Sequence, residues 1–352
     1  MRGAVVYNAV RSMRGEAMAA PKPIHLSATD KLPRTKAGAS PAALIFNPAA
    51  GGGKLRRQMH HLHEARKILF HSGIESSLLI TEEPGDATEF ARQCVTDGYE
   101  LVIACGGDGT VNEVVNGLAG SAVPLAVFPS GTANVLAKEL RIPWDVCGAA
   151  ELVARSHPRR IALGQIAPLD AQRPARYFLC LGGAGPDGVI VYSLDLGAKQ
   201  KAGVLAYWME GFHQLMRYPF PFFRVASNGH TLDASLVVVG RTRHYGGPFE
   251  ITTGASLFRD EFEILALTTR NPLAYLGMLP ALWLGQLRGR DDVQFWKATS
   301  LRCQALPGNG NGNQPIYAQV DGEPAGRLDV EFRIVPSALT LLVPATADES
   351  SG

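Results

Sequence analysis

Leu101-Val102-Ile103-Ala104-Cys105 is an unbroken apolar run that passes directly into Gly106-Gly107-Asp108-Gly109-Thr110, and this junction limits the folds open to the chain. A strand that is apolar on both faces needs cover on both faces, and a glycine-bearing turn that opens a helical pattern supplies one of the covers. Pro124 to Phe128 repeats the arrangement, and Ala43 to Phe46 and Ser77 to Ile80 are shorter versions of it. Between them, Lys54 to His71 carries Leu55, Met59, Leu62 and Leu69 at helical spacing and stops at Gly73. Asp86 with Glu89 reads as a capping pair for a helix over 87–96. The expectation is an α/β fold: an N-terminal open parallel sheet with helices on both sides.

After about residue 158 the rhythm changes. Runs rich in Val, Ile and Phe at 176–182, 221–226, 234–240, 262–268, 292–296, 299–305, 316–320, 327–335 and 339–343 predict strands, and only 203–216 and 272–287 read as helices. A C-terminal antiparallel β-sandwich follows. The expected division is a flexible leader over 1–40, an α/β domain over 41–157, a β-rich domain over 158–345 and a tail over 346–352. Gly308 to Asn313, GNGNGN, reads as a loop tip.

Composition removes several function classes. Hydrophobic residues at 46% and charged residues at 19% provide for packed cores. Lys+Arg 34 against Asp+Glu 32 leaves a net charge of +2, too balanced for nucleic-acid binding by counterion release. The 5 cysteines form no CxxC pair and fit a reducing, cytoplasmic setting. Leu273 to Leu287, interrupted by Pro280, is shorter than the roughly 20 residues a membrane-spanning helix needs. His60, His61 and His63 lie on the first helix with no carboxylate at matching spacing, so an exposed polar face is expected there.

The chemistry gathers at the carboxyl ends of the parallel strands, where open α/β sheets bind ligands. Asn47-Pro48-Ala49-Ala50-Gly51-Gly52-Gly53 lets backbone approach an anion, although its spacing is not that of a P-loop. In the third turn, Thr110 and Glu113 read as a capping box, which would leave Asp108 projecting into the crevice. Pro129-Ser130-Gly131-Thr132-Ala133-Asn134 repeats the device, with Thr132 either capping a helix over 133–140 or reaching a phosphate. Near the C-terminus Asp321-Gly322-Glu323 sets two carboxylates close together after a strand; read alone it is also an ordinary turn.

GGDGTVNEV, preceded by NPAAGGGK and followed by PSGTANVLAKEL, resembles the diacylglycerol kinase catalytic-domain family, which includes sphingosine and ceramide kinases and soluble bacterial lipid kinases. The blocks match in order from about residue 42 onward. The resemblance implies an ATP-dependent kinase of a lipid hydroxyl, with ATP and Mg²⁺ as cofactors. It would contact the inner face of the membrane peripherally, and a homodimer is left open. ATP contacts would fall on Asn47, Pro48, Ala49, Ala50, Gly51, Thr81, Gly106, Gly107, Asp108, Gly109, Thr110, Asn112, Glu113, Gly131 and Thr132. Within LGGAGPDGVIV, Asp187 would face the substrate, although Asp187-Gly188 alone is also a hairpin turn. Asp260, with the backbone oxygens of Leu257 and Phe262, would hold a structural Mg²⁺, and Glu261 stands there where the family usually has glycine. DGE would be the catalytic segment, with Glu323 accepting the alcohol proton, Asp321 orienting it and Asp108 facing both. An NAD kinase shares the GGDGT turn and is the alternative enzyme; a non-catalytic lipid-binding protein on the same scaffold is the alternative outside enzymes.

Overall fold

A computed structural model describes residues 40–52, 55–170, 173–186, 188, 219–245, 249–283, 286–306 and 315–348. The first half runs β1 (Ser40–Phe46), α1 (Leu55–His71), β2 (Ile74–Ile80), α2 (Asp86–Thr96), β3 (Leu101–Gly106), α3 (Asp108–Leu118), β4 (Pro124–Pro129), α4 (Val135–Glu139) and α5 (Val146–Val153). Strands β2-β1-β3-β4 lie side by side in parallel. All of β3 is buried, as its apolar run requires when both faces are covered. On α1 the buried stripe is Leu62, Ala65 and Leu69, while His60, His61 and His63 are exposed as expected.

The second half contains β5 (Ser156–Pro168), β6 (Arg176–Phe178), β7 (Leu181–Ala184), β8 (Phe223–Ser227), β9 (His230–Ala234), β10 (Leu236–Gly240), β11 (His244–Tyr245), β12 (Phe249–Glu250) and β13 (Phe262–Leu267). It continues with α6 (Pro272–Trp283), β14 (Val293–Ala298), β15 (Ser300–Ala305), β16 (Tyr317–Val320), β17 (Glu323–Arg327), β18 (Val330–Pro344) and α7 (Ala345–Asp348). Strands β14-β13-β10-β7-β16-β17 form an antiparallel six-stranded sheet. It packs on the antiparallel part of the larger sheet through Phe178, which stacks on Phe262 at 5.8 Å and meets Phe332 edge-on at 6.1 Å.

The larger sheet does not stop at the first half of the chain. β18 pairs in parallel with β4 at Thr340 and Leu341 and antiparallel with β5 and β15, so the order runs β4-β18-β15-β8-β9 without a break. Several elements depart from the expected ones. The runs at 327–335 and 339–343 are one strand, bent by a register shift between Val335 and Leu339 with Ser337 at φ 47°. β5 was not expected, because its first half is polar and exposed and shows no alternation. The helix over 203–216 and the loop tip at 308–313 lie outside the described residues.

Candidate active site

Three turns meet at the tips of the parallel strands. The Asn47 amide donates to the Cys105 carbonyl at 2.9 Å, and Ser130 N–H donates to Gly106 O at 3.0 Å. Asn47 Oδ1 accepts from Ala49 N–H at 2.9 Å, and Asn47 Nδ2 donates to Thr110 Oγ1 at 2.9 Å, which ties the first turn to the third. A Cβ on Gly131 would run into the Gly107 Cα and lie 2.9 Å from Asn134 Oδ1, so these two turns pack backbone against backbone. The turns thus approach one another through bare main chain, at Gly107 against Gly131 and at Gly51 against the Ser130 carbonyl.

The caps differ from those expected. Thr110 and Glu113 form no capping box: α3 starts at Asp108 with no side-chain cap, Thr110 is held by Asn47, and Glu113 Oε2 accepts from the Ala87 amide at 3.2 Å. Asp86 likewise does not cap α2 but accepts from the amides of Glu82 and Glu83, at 2.7 and 2.9 Å. Local patterns lost to tertiary donors in both cases. The Asp108 carboxylate does not project freely either. It accepts from Asn134 N–H at 2.9 Å and Val135 N–H at 2.7 Å, binding the start of α4, which Thr132 therefore does not cap. Burial pushes the Asp108 carboxyl above its ordinary value, the Val135 hydrogen bond opposes this, and the nearby charge of Asp321 adds to it. Thr132 is exposed, and Thr81 is buried with its amide donating to Phe46 O at 2.9 Å.

The second half of the chain brings its hairpin to this place. Asp321 and Gly322, at φ 48° and 78°, make the tight turn between β16 and β17. The Asp321 carboxylate accepts from the amides of Leu179, Cys180 and Leu181, at 2.8, 2.9 and 2.9 Å, and from Asn112 Nδ2 at 2.9 Å. Asn112, itself buried, donates also to Tyr177 O, while its Oδ1 accepts from the Arg176 guanidinium at 2.8 Å; Arg176 reaches Pro324 O as well, at 3.3 Å. This network fixes Glu323, the residue after the turn: its Oε1 lies 2.6 Å from where a Cβ on Gly109 would be. Asp108, Gly109, Asn112, Asp321 and Glu323 are thus brought together from both halves. Arg176 was missed, as were Tyr177 and Asn116, which exchange hydrogen bonds: Tyr177 N–H donates to Asn116 Oδ1 at 2.9 Å and Asn116 Nδ2 to Tyr177 O at 3.0 Å. Their partners are backbone groups and amides distant in sequence, which no local pattern signals.

Asp187 lies outside the described residues. At the loop where the resemblance places a structural Mg²⁺, Asp260 is exposed and Leu257 O already accepts from the guanidinium of Arg241 at 2.7 Å. No cluster of three or more His, Cys, Asp and Glu that could hold a metal occurs among the described residues.

Residues 41–166 match the diacylglycerol kinase catalytic domain, and residues 184–343 match the YegS C-terminal NAD kinase beta sandwich-like domain. The chain belongs to the diacylglycerol kinase catalytic-domain family. Membership makes it a phosphotransferase with an alcohol group as acceptor. Among its relatives in the family are proteins named diacylglycerol kinase from Staphylococcus aureus strains bovine RF122 / ET3-1 and MRSA252. Each is 29% identical over 308 residues, covering 86% of this chain and 92% of the relative. A crystal structure of a diacylglycerol kinase from Bacillus anthracis str. Sterne shares the fold, with a TM-score of 0.68 and 23% identity over 87% of this chain and 98% of that one. No helix among the described residues is long and apolar enough to cross a membrane.

Proposed function

We propose that this family member is an ATP-dependent lipid kinase that phosphorylates the hydroxyl of diacylglycerol or a related membrane lipid. The observation that carries the proposal is the seat of Glu323 against Gly109, at the mouth of the glycine-lined turns and held there by the Asp321 cradle. The main chain around Gly51, Gly107 and Gly131, with Asn47 and Thr132 beside it, has the form of a phosphate cradle, and a Cβ at any of the three glycines would meet neighbouring backbone. Mg²⁺ carried by the nucleotide would supply charge neutralisation on the phosphate oxygens.

In this reading each carboxylate has its own task. Glu323 accepts the proton of the lipid hydroxyl, whose oxygen forms the bond to the γ-phosphorus as the bond to the β-phosphate oxygen breaks. Asp321 sets the position of Glu323 without entering the reaction, because its oxygens already hold amide donors. Asp108 fixes the start of α4, and with it the third wall of the cradle. Peripheral membrane contact is supported by Leu273 on α6, which is 68% exposed, beside Arg270, whose guanidinium lies over the Phe222 ring.

The test offers ATP labelled at the γ-position, with Mg²⁺, to mixed micelles of diacylglycerol, monoacylglycerol, a sphingoid base, ceramide and a polyprenol, and separately to NAD. Label on one lipid, reduced about 10²- to 10⁴-fold in Glu323→Gln with the KM for ATP little changed, is the expected result. Label on NAD, or full activity in Glu323→Gln, overturns the reading.

A further inference from the structure

Among the described residues Arg241 is the largest fully buried side chain, at 0% exposure, and it follows β10 directly. Burying a guanidinium is costly unless its donors are used. Here its Nη2 donates to Leu257 O at 2.7 Å and its Nη1 to Arg259 O at 3.3 Å, so it gathers the carbonyls of the loop that leads into β13. Its Nε has no partner among the described residues, so the loop is where its hydrogen bonds go. Its backbone is fixed as well: Arg241 N–H donates to Cys180 O at 2.8 Å, in the segment cradling Asp321.

The acidic groups of the loop also meet cations of the chain itself. Glu261 Oε1 accepts from Lys297 Nζ at 2.5 Å and lies 3.9 Å from Arg259 Nη1. Asp260, the other carboxylate of the loop, is exposed. A Mg²⁺ ion requires a near-octahedral set of oxygens. It would have to share Leu257 O with a buried positive charge.

We infer that the guanidinium of Arg241 is the cation of the 257–262 loop, and that the chain therefore holds this loop without a structural divalent metal. The inference concerns the loop alone and stands whichever alcohol the enzyme phosphorylates. It separates two roles for Mg²⁺: this chain would need the ion with its nucleotide and not for its fold.

Thermal unfolding of the full chain without nucleotide, in EDTA and in millimolar Mg²⁺, tests this with the native protein, Asp260→Asn and Arg241→Met. The native midpoint is expected to agree in the two buffers within about 1 °C, and Asp260→Asn to remain equally indifferent to chelator. Arg241→Met strips the buried Leu257 carbonyl and the part-buried Arg259 carbonyl of their donor and should lower the midpoint by roughly 3 °C or more. Elemental analysis of the native chain, which does not depend on that variant folding, should find well below about one Mg²⁺ or Ca²⁺ per chain. A Mg²⁺-dependent rise of the native midpoint that Asp260→Asn abolishes overturns the inference. So does one copurifying equivalent of metal that Asp260→Asn removes, or an Arg241→Met chain as stable as the native one. Agreement of the native midpoints in the two buffers, with no bound equivalent of metal, supports the inference.

Discussion

The side-chain amide of Asn112, on α3, donates to the Asp321 carboxylate at 2.9 Å across 209 residues of sequence. With the three backbone amides on the same carboxylate, this bond ties the β16–β17 hairpin to the first half of the chain. Asp321→Asn would turn one acceptor oxygen into an NH₂ facing amide donors. A loss of about 2 to 3 kcal/mol is expected, read as a fall of roughly 3 to 4 °C in unfolding midpoint, together with lost activity. A variant as stable as the native chain would contradict the cradle.

Gly109→Ala should separate stability from catalysis. The added methyl meets only the end of the Glu323 side chain, and alanine favours a helix over glycine by about 0.8 to 1.0 kcal/mol, so α3 should be as stable or more so. Glu323 must nevertheless move, and kcat should fall on the order of 10²-fold. The measurement is kcat beside the unfolding midpoint, and unchanged kcat would remove Glu323 from the reaction.

The raised carboxyl of Asp108 has a sign that can be read in stability. Because the folded chain holds this proton more tightly than the unfolded one, its contribution is fully present below the unfolded pKa of about 4 and is lost as pH rises through the raised folded value. The midpoint of the native chain minus that of Asp108→Asn should therefore shrink from acid toward neutral pH. A difference constant over that range would show that the amides of Asn134 and Val135 offset burial, and one that grows with pH would show that they outweigh it.

Thiol chemistry gives an independent check on packing. Burial pushes Cys94 and Cys105 up to about 12 and raises Cys180 and Cys303 well above the ordinary thiol range; Cys147 is raised too, but is only half-buried. Iodoacetamide at pH 8 should modify the native chain slowly, at Cys147, and all 5 cysteines in denaturant, as intact mass spectrometry would show. Rapid native labelling of Cys105 would mean that β3 is not covered.

Strands β1, β3 and β4 were legible because each is apolar on both faces, a pattern few other environments permit, and the turns after β3 and β4 because glycine is needed where backbones touch; β2, at the sheet edge with Glu75, Ser76 and Ser77, showed only its apolar end. Thr110-Glu113 and Asp86-Glu89 matched a local cap that the structure does not use, since Asn47 and the loop amides of Glu82 and Glu83 compete for the same groups. The β5 strand was hidden by its polar first half, and β18 was divided by the Pro336-Ser337 bend. The site was half legible. Asp108, Asp321 and Glu323 stand out as carboxylates beside glycines, yet which of them is already bonded depends on Leu179, Cys180, Leu181 and Asn112, and no spacing connects these to the hairpin.

The position of β18 beside β4 bears on how the protein comes into being. Synthesis proceeds from the N-terminus, so β4 is made long before the strand that covers its open side, at Thr340 and Leu341. A chain still on the ribosome presents β4 as a bare, apolar edge, ready to pair with a neighbour. That edge is covered only when β18 reaches it, and such long-range pairing should make folding slow for a protein of this size.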